Sequence, residues 1–181
     1  MWLAVVYEAF EVIGHNAAKN KFYGPFNKLL NILFPCSSPF TVHPQYTLGS
    51  TQQCADFIIT YGQNGPVLVI EVKPPHNYLH IANRAAADIQ VRTHMHTMAA
   101  SCALETLYSI SAIGTQLTFY TLDTGNINAD ISPPPITCHP TQVNDTATAS
   151  CWHRDVLCCS REMALCGIAM AISNACTTLY G

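Results

Sequence analysis

Charge is what this chain has least of. Only 10% of its 181 residues are Asp, Glu, Lys or Arg, eight basic against eleven acidic, for a formal charge of -3. That balance counts against a whole-surface attraction to nucleic acid and leaves a local patch as the route to it. No window reaches the roughly 20 apolar residues that span a bilayer, so no membrane partner is expected. No basic stretch precedes the apolar Met1–Val6, and Glu8 and Glu11 follow at once, which makes a poor signal peptide. The expectation is an intracellular protein of cytoplasm or nucleus, not a secreted one. Nine cysteines without a leader, and odd in number, do not read as a disulfide framework; they read as reduced, small apolar residues. Cys138-His139, Cys151, His153 and Cys158-Cys159 show no CxxC or HxxxH spacing among themselves, which counts against a zinc site there. No internal repeat and no linker divides the sequence, which is expected to form one domain over residues 1–181.

Apolar residues make up 49% of the chain, which excludes disorder. So little charge also implies that some surface is covered, and a homo-oligomer would cover it. A short helix is expected within residues 1–13. A clear one spans Gly24–Phe34, where Phe26, Leu29, Leu30, Leu33 and Phe34 form one apolar stripe between Pro25 and Pro35. Phe40–Leu48 reads as a strand that Pro44 pushes toward a sheet edge. Ala55–Tyr61 and Val67–Lys73 read as strands about the turn Gly62-Gln63-Asn64-Gly65. The unbroken Val67-Leu68-Val69-Ile70 implies burial on both faces, at the sheet centre. Asn83 is the expected cap of a helix to about Cys102. Thr106–Ile113 and Gln116–Leu122 follow as a hairpin, 124–148 as a surface loop, and a last helix runs from about Ser160 to Cys176. That order is an α/β layered domain.

The chemistry lies in the first hairpin. If its turn is symmetric, pairing Gly62 with Gly65, then Asp56 falls opposite Glu71, β-carbons roughly 5 Å apart. Lys73, two residues beyond Glu71, shares their face. Two facing carboxylates repel unless a cation, a shared proton or an amine compensates. A hard divalent ion such as Mg2+ or Mn2+ suits them, and a water bound to it becomes a better nucleophile. Lys73 is placed to orient that water or to stabilise negative charge.

Asp56, fourteen residues, then Glu71-Val72-Lys73 on the next strand resembles the D…(D/E)-x-K signature of the PD-(D/E)XK, restriction-endonuclease-like superfamily. Phe22 to Leu30, Glu71 to Pro75, Arg84 to Arg92, Ser111 to Thr115 and Trp152 with Asp155-Val156-Leu157 resemble its uncharacterised fungal members most. The resemblance implies a core of helix, three-stranded antiparallel meander, helix and further strands, as a central mixed sheet flanked by helices. It implies a nuclease that hydrolyses phosphodiester bonds in DNA or RNA. Asp56 and Glu71 would hold Mg2+ or Mn2+, Lys73 would serve the attacking water, and Gln90 would be an auxiliary polar residue. The superfamily's first helix often carries a further metal-binding Glu. Here the segment before Phe22 reads Lys19-Asn20-Lys21, and Glu8 and Glu11 lie more than ten residues upstream.

Bland alternatives stand beside these readings. A Glu-x-Lys on a strand is ordinarily a surface ion pair, and Gln90 a solvated helix residue. Arg84 and Arg92, two turns apart, share a side of their helix and could contact nucleic acid phosphates or simply be solvated. His94 and His96, two residues apart, do not share one metal. The competing function is an inactive nuclease-like scaffold that binds a protein or nucleic acid partner, favoured by the low charge and the absent first-helix acid.

Overall fold

The computed structural model describes residues 4–47, 53–126 and 128–180. Among them one six-stranded sheet comprises β1 (Phe40–Thr47), β2 (Cys54–Tyr61), β3 (Pro66–Lys73), β4 (Thr106–Ile113), β5 (Gln116–Asp123) and β6 (Arg154–Asp155), in that spatial order. Neighbours are antiparallel except β3 and β4, which run parallel. A parallel neighbour needs a crossover, and a helix, α3 (Ile81–Ala99), supplies it. The other helices are α1 (Ala4–Glu11), α2 (Tyr23–Leu33) and α4 (Cys159–Tyr180). The expected mixed sheet flanked by helices, with its three-stranded meander, is what the chain forms.

β3 is central because every residue from Pro66 to Val72 is apolar or buried. It needs partners on both edges and cover on both faces. One face, with Phe57, Ile59, Leu68 and Ile70, packs under Phe10 of α1, Phe26 and Leu29 of α2 and Leu165 and Ile172 of α4. The other, with Ile58, Val69 and Leu107, packs under Val91, Met95 and Met98 of α3. Each such buried side chain stabilises the fold by about 1.5–3 kcal/mol relative to leaving it in water. β1 is an edge strand, as Pro44 requires. Gln45 beside it takes a left-handed φ of 51° and is skipped between the pairs Pro44↔Phe57 and Tyr46↔Ala55. The predicted end of this strand, Leu48, lies outside the described residues.

Three expectations change. The turn between β2 and β3 is not symmetric. Thr60 pairs with Pro66 and the register shifts between Ile59 and Thr60, after which Ile59↔Leu68, Ile58↔Val69 and Phe57↔Ile70 follow the predicted alignment. Asn83 does not cap α3; His80 precedes the helix and its carbonyl accepts from the Asn83 and Arg84 amides. The 124–148 segment is a surface loop as expected, exposed throughout 132–143, and is anchored where Ser132 bridges Thr121 and where Ile131 and Ala147 are buried. Finally, Met163–Tyr180 of α4 has a mean hydropathy of 1.4 with 22% of it buried, long and apolar enough to cross a membrane by length and composition. Polar Ser173, Asn174, Thr177 and Thr178 interrupt it, which hid it from a search for an unbroken apolar run. Its Leu165, Ala169, Ile172 and Cys176 belong to the core.

Candidate active site at the end of the β2 and β3 pair

Past Phe57↔Ile70 the backbone ladder gives way to a side chain. The Val72 amide donates to Asp56 Oδ2 at 2.8 Å, so a carboxylate replaces a strand carbonyl there. Asp56 is thereby fixed on β2 beside the Glu71–Lys73 end of β3. Its other oxygen, Oδ1, accepts from the Tyr23 hydroxyl at 2.7 Å and pairs with the Lys19 ammonium at 2.7 Å. Lys19 belongs to the helical turn Lys19–Phe22 that leads into α2, and Tyr23 opens α2.

Glu71 points under α3. Its Oε1 lies 2.7 Å from His94 Nδ1, and its Oε2 accepts from Gln90 Nε2 at 3.0 Å. The Gln90 carbonyl oxygen in turn accepts from the Lys73 ammonium. One helix face therefore serves Glu71 twice, because Gln90 and His94 are four residues apart. The structure joins Glu71, Gln90 and Lys73 by side-chain hydrogen bonds and holds Asp56 beside them through the Val72 amide, near enough for its charge to act on Glu71. A cavity of about 300 Å³ lined by Gln53, Cys54, Gln90, Thr93 and His94 opens beside this cluster.

Glu71 is fully buried and Asp56 is 4% exposed. Burial pushes the Glu71 carboxyl above its ordinary range, the Asp56 charge adds to this, and the His94 hydrogen bond opposes it. Burial pulls the Lys73 ammonium below its ordinary value, against the attraction of Glu71. Lys19 goes the other way: burial would lower it, but its hydrogen bond and charge interaction with Asp56 outweigh burial and raise it. Tyr23 is raised by burial and by Asp56. Cys54, at the cavity wall, is also raised, by burial and then by both acids; its thiolate is disfavoured and it makes a poor nucleophile.

Asp56 and Glu71 are the cluster's hard anionic oxygens. Among the described residues no set of three or more His, Cys, Asp or Glu is placed to enclose an ion. The sequence reading missed Lys19, Tyr23 and His94 as members. For His94 the signal was present in its spacing from Gln90; for Tyr23 none was.

Arg84 and Arg92 do not join the cluster, and their placement favours an internal role over contact with phosphate. Arg84 is buried: its guanidinium donates to the carbonyls of Ala147 at 2.8 Å and Tyr78 at 2.6 Å and pairs with Asp145 at 2.5 Å. Arg92 pairs with Asp88 at 2.8 Å, donates to the Pro133 carbonyl at 2.9 Å and lies 5.2 Å from the Tyr120 ring centre. Both tie the 124–148 segment to α3.

The fold has a solved counterpart. The type IIG restriction endonuclease BpuSI superposes with a TM-score of 0.54 over 90% of this chain and 18% of its own, at 16% sequence identity. The chain therefore has a restriction-endonuclease-like fold, and spans less than a fifth of that enzyme's length. No family model matches the chain, and no curated protein does.

Proposed function

We propose that this chain is a metal-dependent nuclease of the PD-(D/E)XK type, hydrolysing phosphodiester bonds in nucleic acid. One observation carries the reading. On a restriction-endonuclease-like fold, Glu71, Gln90 and Lys73 are joined by hydrogen bonds at one end of the central strand pair, with Asp56 held next to them by the Val72 amide and a cavity beside them. The likeness to a restriction endonuclease favours DNA over RNA as substrate.

The donor set fits Mg2+ or Mn2+. Two carboxylates suffice for an ion that keeps most of its waters, and Asp56 Oδ1 already faces a cation, the Lys19 ammonium. Asp56 and Glu71 would hold the ion, which when bound lowers the pKa of a coordinated water and offsets charge on the phosphoryl oxygens. The chain's own residues do the rest. The Val72 amide holds Asp56 in place, and His94 and Gln90 orient Glu71. Gln90 also fixes the Lys73 ammonium, whose remaining donors can orient the attacking water or stabilise a developing oxyanion. Low overall charge leaves substrate attraction to this local site.

Asp56→Ala, Glu71→Ala and Lys73→Ala should each reduce Mn2+-dependent cleavage of DNA by roughly a hundredfold or more. Circular dichroism would check that each stays folded. A folded variant that cleaves like wild type would sink the proposal. A second reading, the non-catalytic scaffold, is favoured by the saturation of both acids within the protein. Calorimetry decides between them: absence of Mn2+ binding at millimolar concentration supports the scaffold.

A further inference from the structure

Asp56 Oδ1 is the one carboxylate oxygen of the cluster paired with a lysine. Lys19 Nζ stands 2.7 Å from it, and lies 5.9 Å from the Tyr23 ring centre. The lysine side chain is 35% exposed, whereas that of Asp56 is 6% exposed. The acid is thus locked in the protein while its counter-cation reaches water. Asp56 Oδ2 is held by the Val72 amide, and both Glu71 oxygens are engaged by α3. Oδ1 also accepts from the Tyr23 hydroxyl of α2, so Lys19 is the partner of this acid that can leave while the strand contact and that helix contact remain.

We propose that Lys19 is a resident cation that competes with the divalent ion for Asp56. This rests on the metal-dependent reading above. A hard divalent ion binds a carboxylate oxygen at about 2.1 Å. Both cations on one oxygen would stand within a few ångströms of each other and repel. Metal binding then requires Lys19 to swing into solvent, which its exposure permits. The ammonium balances the buried acid when no ion is bound, so the cluster is neutralised in either state. Lys19 acts through Asp56 and touches neither the attacking water nor substrate; it sets how much free metal the site needs.

The test is calorimetric titration of Mn2+ into the full chain, at fixed pH and ionic strength. Wild type is compared with Lys19→Met, Lys19→Gln, Lys19→Arg and the double variant Lys19→Met/Asp56→Asn. The neutral substitutions should tighten Mn2+ binding by about tenfold, the loss of one partly buried competing charge. Lys19→Arg, which keeps the charge, should bind as wild type does, and the double variant should bind none. The paired neutral variants guard against one of them failing to fold, checked by circular dichroism. If folded Lys19→Met and Lys19→Gln bind Mn2+ no more tightly than wild type, the competition is refuted while the metal site stands. If wild type and both neutral variants bind no Mn2+, the competition and the metal-dependent reading fall together.

Discussion

Arg84 carries a permanent charge into a site only 5% exposed, and its partners explain how. Two backbone carbonyls and Asp145 accept from its guanidinium. Removing Arg84 leaves the half-buried Asp145 carboxylate without its partner and two carbonyls without donors. Arg84→Met should therefore cost roughly 3–5 kcal/mol in urea denaturation. Arg84→Lys should lose part of that, since a single ammonium cannot reproduce a planar fork. A loss below about 1 kcal/mol for Arg84→Met would show that the 145–147 contacts contribute little. This use of Arg84 was not legible in the sequence, because helical spacing says which side a residue faces and not whether a distant loop covers it. The same holds for Lys19 and Tyr23. Their meeting with Asp56 spans more than thirty positions of chain and no local pattern encodes it. Asp56, Glu71 and Lys73 were legible, because strand pairing converts sequence distance into spatial position by simple counting.

At the scale of elements, the hairpin that carries the acids keeps the counted alignment as far as Phe57↔Ile70, one pair short of the acids, although the premise of a symmetric turn was wrong. The turn is offset by one residue and the irregularity between Ile59 and Thr60 restores the alignment before the site is reached. Two glycines make the turn possible. Gly62 has a φ of 53° with open space around it, whereas Gly65 has a φ of 108° and a β-carbon there would lie 2.1 Å from the Ser101 carbonyl oxygen. Gly62→Ala should cost about 1–2 kcal/mol, the left-handed penalty alone. Gly65→Ala should cost clearly more, because the 65–66 strand entrance must also move away from the end of α3. Equal melting midpoints for the two variants would contradict this packing. In α4 the buried Cys176 offers a pH probe. Burial, with a smaller push from Cys102, raises its thiol from the ordinary 9.0 to about 11. The unfolded chain thus loses this proton first. Stability is unaffected below pH 9 and falls as pH rises toward 11. Cys176→Ala should flatten that alkaline fall relative to wild type in urea titrations at pH 8, 9, 10 and 11. A parallel slope in both proteins would mean the thiol does not carry it.

For the molecule as a whole, the question is whether metal holds the fold together or only visits it. The core is built without the site. The two faces of the sheet are covered by α1, α2 and α4 on one side and α3 on the other, through apolar contacts that Asp56 and Glu71 do not join. Within the site, each acid has protein partners on both oxygens. A structural metal centre behaves differently, since its ligands are unsatisfied without the ion and chelators unfold the protein. The melting midpoint should therefore be unchanged by excess EDTA. If Asp56 and Glu71 take up an ion after Lys19 withdraws, Mn2+ should raise the midpoint by mass action, by about 2.7 kcal/mol of stability at a hundredfold excess over Kd. Asp56→Asn should abolish that rise and leave the EDTA result as it is. Differential scanning calorimetry with and without Mn2+ checks both. Unfolding by EDTA would mean that the protein partners of the two acids do not replace the ion, and that the cluster is a structural centre.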